Sequence, residues 1–163
     1  MGAYFIIIRG PLGCGKTTIA RVLASRLGAH CVHVDDVLAE HGLEDDREDG
    51  YISQKSFITV NEIIVSDVQL NLQKGTKVII EGNFYWQSQI EDLIKRLEFP
   101  HLVVTLKAPL EVCISRDAQR DTAHGEDAVR AVYARTMAFD YGTVIDATAS
   151  INDCVDAIYS RLI

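Results

Sequence analysis

Short apolar runs alternate along the chain with longer stretches of helical spacing. Tyr4-Phe5-Ile6-Ile7-Ile8 is continuous and rich in β-branched residues, as expected of a strand buried on both faces, and Arg9 ends it. Beyond Gly10–Gly15 the pattern predicts a helix opening near Lys16. Ile19, Val22, Leu23 and Leu27 form its stripe, and Gly28 stops it. Cys31–Val34 predicts a second strand with Asp35 and Asp36 at its C-terminal end. The acidic stretch Glu40–Gly50 has no apolar period and predicts a loop. A long helix follows over about residues 53–74, with Phe57, Val60, Ile64 and Val68 on one face and Gly75 as terminator.

Lys77–Glu81 is the third predicted strand, running into Gly82-Asn83, and a helix covers about 87–97. Leu102–Leu106 is the fourth strand, and Pro109 suits the first turn of the helix after it. Residues 116–125 form a polar break before a helix with Val129, Val132, Tyr133 and Thr136 on one side. Thr143–Asp146 predicts a fifth strand, and Ser150-x-x-Asp153 a capping box for a last helix carrying Ile151, Val155, Ile158 and Leu162. Strands alternating with helices imply an α/β fold, a parallel sheet with helices on both faces.

The segment between the first strand and its helix carries the chemistry. Gly10-Pro11-Leu12-Gly13-Cys14-Gly15-Lys16-Thr17 matches Gly-x-x-x-x-Gly-Lys-Thr, the P-loop. Its glycines let successive N–H groups turn inward on phosphate oxygens, and the helix N-terminus adds its positive dipole end. Lys16 is expected to reach the β- and γ-phosphates, and Thr17 to ligate Mg²⁺. The nucleotide-contacting set is then Gly10, Leu12, Gly13, Cys14, Gly15, Lys16, Thr17 and Thr18. Both flanks, a buried strand and an amphipathic helix, agree with the motif. GTPases add Asn-Lys-x-Asp and motor ATPases end a strand in Asp-Glu. The chain has no Asn-Lys-x-Asp, and its matching strand ends in Glu81-Gly82-Asn83, which points to a kinase.

A kinase acting on a hydroxyl needs a carboxylate to orient and deprotonate it. Asp35, with Asp36 second, stands at the strand edge where ligands bind in such sheets. The alternative is that one or both cap a short helix starting near Val37. Glu81 either holds Mg²⁺ through water or bonds the P-loop backbone, so Thr17, Asp35 and Glu81 are the metal-side oxygens. Gly82 and Asn83, with Asp35 and Asp36, are the acceptor-side residues. Phe84, Tyr85 and Trp86 either wall a pocket or pack under the next helix; for Phe84 packing is favoured. Arg116 and Arg120, four apart, are expected to share a helical face and clamp the transferring phosphoryl group. Otherwise they pair on a solvated face with Asp117 and Asp121.

Length and charge narrow the picture. The 163 residues suit a single domain, so a substrate site must be built from insertions. A net charge of -7 weighs against tight non-specific binding to nucleic acid, without excluding a local basic groove. The first apolar run is too short for a signal peptide or a membrane span, so a cytoplasmic protein with no membrane association is expected. Cys14, Cys31, Cys113 and Cys154 are too scattered for a zinc or redox motif. Cys14 is read as a small residue whose side chain points away from the phosphates.

Taken together these residues resemble the small P-loop kinases: adenylylsulfate, gluconate and shikimate kinases, chloramphenicol phosphotransferase, zeta-toxin-like kinases and polynucleotide 5′-kinases. The resemblance runs in order through Gly10–Thr17, Val34-Asp35-Asp36, Glu81-Gly82-Asn83 and Ala108–Cys113 leading into Arg116-Asp117 and Arg120. It implies a three-layer P-loop NTPase fold with a five-stranded parallel sheet, a lid at about 116–126, an acceptor-side insertion at about 40–60, and Mg²⁺-ATP as donor. By the same resemblance Asp35 is the base, the lid arginines contact the donor phosphates, and Ala147-Thr148 lies beside the adenine. Leu38 stands where adenylylsulfate and polynucleotide kinases carry an acceptor-gripping Arg, so the resemblance does not name the acceptor. A small-molecule hydroxyl is the main expectation. A polynucleotide or nucleoside 5′-hydroxyl and a slowly hydrolysing ATP-binding regulatory module are the alternatives.

Overall fold

In the computed structural model, which describes residues 2–162, Phe5–Arg9 forms β1 with every residue buried. It is followed by α1 (Lys16–Leu27), β2 (His30–His33), α2 (Val34–Glu40), the short strands β3 (Arg47–Glu48) and β4 (Tyr51–Ile52), and α3 (Gln54–Gln73). The chain continues through β5 (Val78–Gly82), α4 (Gln87–Leu97), β6 (His101–Lys107), α5 (Leu110–Ala118), α6 (Glu126–Thr136), β7 (Thr143–Asp146) and α7 (Ile151–Tyr159). Five parallel strands lie in the order β2-β5-β1-β6-β7, so the first and most apolar strand is the centre of the sheet.

Alternate side chains of β1 serve the two faces. Ile6 and Ile8 pack with Ile19 and Leu23 of α1 and Val155 and Ile158 of α7. Phe5 and Ile7 pack with Val34 and Leu38 of α2, Phe57 and Val60 of α3, and Ile90 and Leu93 of α4. The result is the expected three-layer α/β fold. Helix ends follow the local signals: Gly28 is left-handed at φ 62°, the Ser53 side chain accepts from Ser56 N, and that of Ser150 from Asp153 N.

Several local expectations change. The helix after β2 starts at Val34, three residues before the predicted start, so Asp35 and Asp36 lie in its first turn rather than beyond a strand; the N-cap is His33. The acidic loop contains an antiparallel hairpin, with Arg47 opposite Ile52 and Glu48 opposite Tyr51. Pro109 is the N-cap of α5 rather than its first residue. Val22 is apolar but exposed on α1.

Arg9 is the largest departure. It ends an apolar run in the sequence, yet it is fully buried. Its guanidinium donates to the carbonyls of Phe84 (3.1 Å), Phe139 (3.1 Å) and Thr136 (2.7 Å) and to Thr105 Oγ1 (3.1 Å), and it lies over the Phe139 ring. Burial lowers its pKa to about 10, with Asp140 opposing, so it remains charged at neutral pH. One side chain thus ties the end of β1 to β5, β6 and the end of α6. Arg9→Met leaves these acceptors buried without their donor, and the expected loss is about 3–5 kcal/mol. Urea unfolding of the two proteins measures it.

Candidate functional site

The loop Gly10–Gly15 leaves β1 at the centre of the sheet and turns directly into α1. Gly15, the N-cap, has φ 92°, and Gly13 has φ 80°. A Cβ on Gly13 would stand 2.3 Å from the Cys113 carbonyl oxygen, so only glycine lets the loop press against α5. The Cys14 side chain is buried in the core beneath the loop. Burial pushes its thiol pKa up against the opposing pull of Lys16. Lys16 opens α1 and is itself buried, its Nζ donating to the Pro11 carbonyl at 2.9 Å.

Two cavities meet over this helix start. One, of ≈ 380 Å³, is bounded by Gly13, Gly15, Thr18 and Arg116. The other, of ≈ 300 Å³, is bounded by Leu12, His33, Asp35, Asp36, Glu81 and His124. Lys16, Thr17, Arg21 and Arg120 belong to both. The structure therefore brings the loop, the acidic pair of α2, the end of β5 and Arg120 around one connected cleft.

Glu81 is buried, and its Oε1 accepts from Thr17 Oγ1 (3.2 Å) and contacts His33 Nδ1 (2.8 Å). It thus bonds the Thr17 side chain, not the loop backbone. Asp35 is open to the cleft yet crowded by protein around it. This crowding raises its pKa above the ordinary value; Glu81 and Asp36 add to the rise while Lys16 and His124 oppose it. Because the carboxyl surface still reaches solvent, the rise is smaller than full burial would give.

The two arginines are not equivalent. Arg116, in the last turn of α5, donates from Nη1 to the Ala147 carbonyl (2.7 Å) and, more weakly, the Cys14 carbonyl (3.5 Å). Arg120 lies beyond the helix end, so the shared helical face does not exist. Asp117 is not a solvated partner for either arginine. It is buried and accepts from the backbone N–H groups of His124 and Gly125 and from His124 Nδ1. Burial alone would raise its pKa; these bonds outweigh it and hold the carboxyl below the usual range.

Gly82 and Asn83 line neither part of the cleft. Gly82 is packed under Val34, and Asn83 is buried with its Oδ1 unpartnered. Phe84 is core. Tyr85 and Trp86 hold the hairpin instead: Ile52 N donates to Tyr85 Oη (3.0 Å) and Trp86 Nε1 to the Ile52 carbonyl (2.8 Å).

A family model described as an AAA domain matches residues 5–150. The chain belongs to the AAA domain family. Among curated proteins this AAA domain is similar to a cytidylate kinase of Ignicoccus hospitalis, 29% identical over 133 residues, which span 80% of the chain and 72% of the relative. Its fold is shared with solved P-loop kinases. A sugar kinase from Janibacter sp. superposes with TM-score 0.79 at 18% identity over 99% of this chain and 95% of that one. A gluconokinase from Sinorhizobium meliloti superposes with TM-score 0.70 at 15% identity over 99% and 93%.

His33, His124 and Arg21 of this AAA domain were not singled out by the sequence. A lone histidine carries no spacing signal, and Arg21 looks like any exposed helical arginine. Only the folded contacts place them on the cleft. Among the described residues no group of three or more His, Cys, Asp or Glu could hold a metal ion, and no helix is long and apolar enough to cross a membrane.

Proposed function

We propose that the chain is a kinase that moves the γ-phosphate of ATP to a hydroxyl of a small-molecule acceptor. The observation that carries this reading is the single cleft in which Lys16, the Thr17–Glu81 pair, Asp35 and Arg120 face one another. The P-loop glycines and the N-terminus of α1 cradle the donor phosphates, and Lys16 leaves its Pro11 carbonyl for the β- and γ-oxygens. Asp35 accepts the acceptor's hydroxyl proton, with Asp36 beside it. Segment 116–126 acts as the lid and the hairpin-bearing segment 40–60 as the acceptor-side insertion. Arg116 steadies the donor side of the lid, while Arg120 follows the group in transfer.

The donor set suits Mg²⁺: Thr17, Glu81 and Asp35 offer hard oxygens along one cavity, and they would hold the ion together with phosphate oxygens and water. When bound, Mg²⁺ neutralises charge on the phosphates. A cavity of ≈ 300 Å³ is at the small-molecule end of ligand sites. Together with the net charge of -7 it favours a metabolite over a nucleic acid.

A second reading takes a nucleoside monophosphate as acceptor, and the identity to a cytidylate kinase favours it. Both are tested by following γ-phosphate from Mg²⁺-ATP by ³¹P NMR across sugars, nucleosides, nucleoside monophosphates, hydroxy acids and a 5′-hydroxyl oligonucleotide. The main reading expects a new phosphate ester on one hydroxyl compound. A diphosphate formed from CMP selects the second. Binding of ATP with transfer to none of them leaves a nucleotide-binding regulatory module.

A further inference from the structure

The cleft-facing residues of segment 116–126 are ordered along it. Arg116 lines only the cavity beside the P-loop, Arg120 lines both, and His124 lines only the one that holds Asp35 and Glu81. The path from Arg116 to His124 therefore runs from the donor phosphates toward the acceptor.

His124 is held in place with unusual investment. The buried Asp117 carboxylate accepts from His124 N (3.1 Å to Oδ2), from Gly125 N (3.0 Å) and from His124 Nδ1 (2.9 Å). Each of these bonds acts on position 124 or its neighbour. A turn needing only closure is satisfied by the two backbone bonds; the third fixes the imidazole. With Nδ1 donating to a carboxylate, Nε2 is the ring's remaining polar atom, and no protein group is bonded to it among the described residues.

We propose that His124 donates from Nε2 to an oxygen of the transferring phosphoryl group, on the side facing the acceptor, and that Asp117 is its positioning residue. A ring held between the Asp117 carboxylate and a phosphoryl oxygen donates from both nitrogens as the imidazolium. It joins Lys16 and Arg120 as a third cation lining the same cavity. Negative charge spread over the equatorial oxygens is what phosphoryl transfer asks a site to neutralise. The inference rests on the kinase reading above.

The test compares binding of Mg²⁺-AMP-PNP and Mg²⁺-ADP to the full chain by calorimetry. His124→Asn keeps a donor where Nδ1 stands, so Asp117 stays bonded, but removes the nitrogen that faces the cleft. It is expected to weaken AMP-PNP about tenfold while leaving ADP unchanged. His124→Gln, whose amide nitrogen reaches the Nε2 position, is expected to regain part of the preference. AMP-PNP affinity unchanged in both variants, or equal losses for AMP-PNP and ADP, overturns the role of His124. A wild-type chain that binds neither nucleotide overturns the kinase reading instead.

Discussion

Lys16→Met is expected to lower phosphoryl transfer by about a thousandfold or more, with the folded protein as stable as before. The two halves of this expectation come from the same geometry. Lys16 is buried, its Nζ bonded to the Pro11 carbonyl, and no carboxylate lies within 4 Å among the described residues. An ammonium in that position is desolvated with one neutral partner, which costs folding free energy. Methionine fills nearly the same volume without that charge, so thermal melting should hold or rise. On the proposed kinase reading, the donor's phosphates supply the missing counter-ion, and only while they are bound. Turnover and melting temperature measured on one preparation separate the effects. Transfer within tenfold of wild type would remove Lys16 from the site. A large loss of stability would mean that Pro11 depends on the lysine, and the lost activity would then say nothing about phosphate.

What the sequence discloses here follows from how local the determining contacts are. The P-loop is contiguous, its reasons are backbone reasons, and its flanking strand and helix have strong periods, so the turn from β1 into α1 at Lys16 was legible. The five strands of the sheet were legible for the same cause: each is a short apolar run bounded by a turn residue. The hairpin at 47–52 was not, because two-residue strands have no period to detect. It is held from outside by Tyr85 and Trp86, thirty residues away in the sequence and more.

Charged residues mislead in both directions. Arg9 and Asp117 look solvated, yet both are buried: backbone carbonyls from distant segments meet Arg9, and the turn at His124-Gly125 closes its N–H groups over Asp117. Gly82 and Asn83 look like an exposed turn at a strand end, yet α2 begins early enough to put Val34 over the glycine. His124 depends on Asp117, and Asp117 looks from the sequence like a partner for arginine. Sequence spacing could suggest a lid there but could not say which side chains of the segment line the cleft.

Asp35→Asn is expected to lower the turnover number by about a hundredfold to ten-thousandfold, the range for removing a general base, measured at saturating Mg²⁺-ATP because the same carboxylate stands on the metal side. Asp36→Asn is the comparison, since both carboxylates bound the same cavity from the first turn of α2. Asp35 is distinguished by its surroundings. Protein crowding, then Glu81 and Asp36, push its pKa up against Lys16 and His124. A base must be ionised to act, so activity should rise with pH through a value above the usual carboxylate range near 4. That limb should vanish in the Asn variant. Stability moves the other way. A carboxyl with a folded-state pKa above its unfolded value favours the fold at low pH, and that contribution is lost as pH rises through the folded value. Asp35→Asn should therefore hold or gain stability at neutral pH, where the aspartate is ionised, and show no advantage in acid. An acid limb that persists in Asp35→Asn and disappears in Asp36→Asn would transfer the base to Asp36. If both variants turn over at the wild-type rate, the cleft only orients its acceptor, and the transfer draws its rate from the cations lining the same cavity.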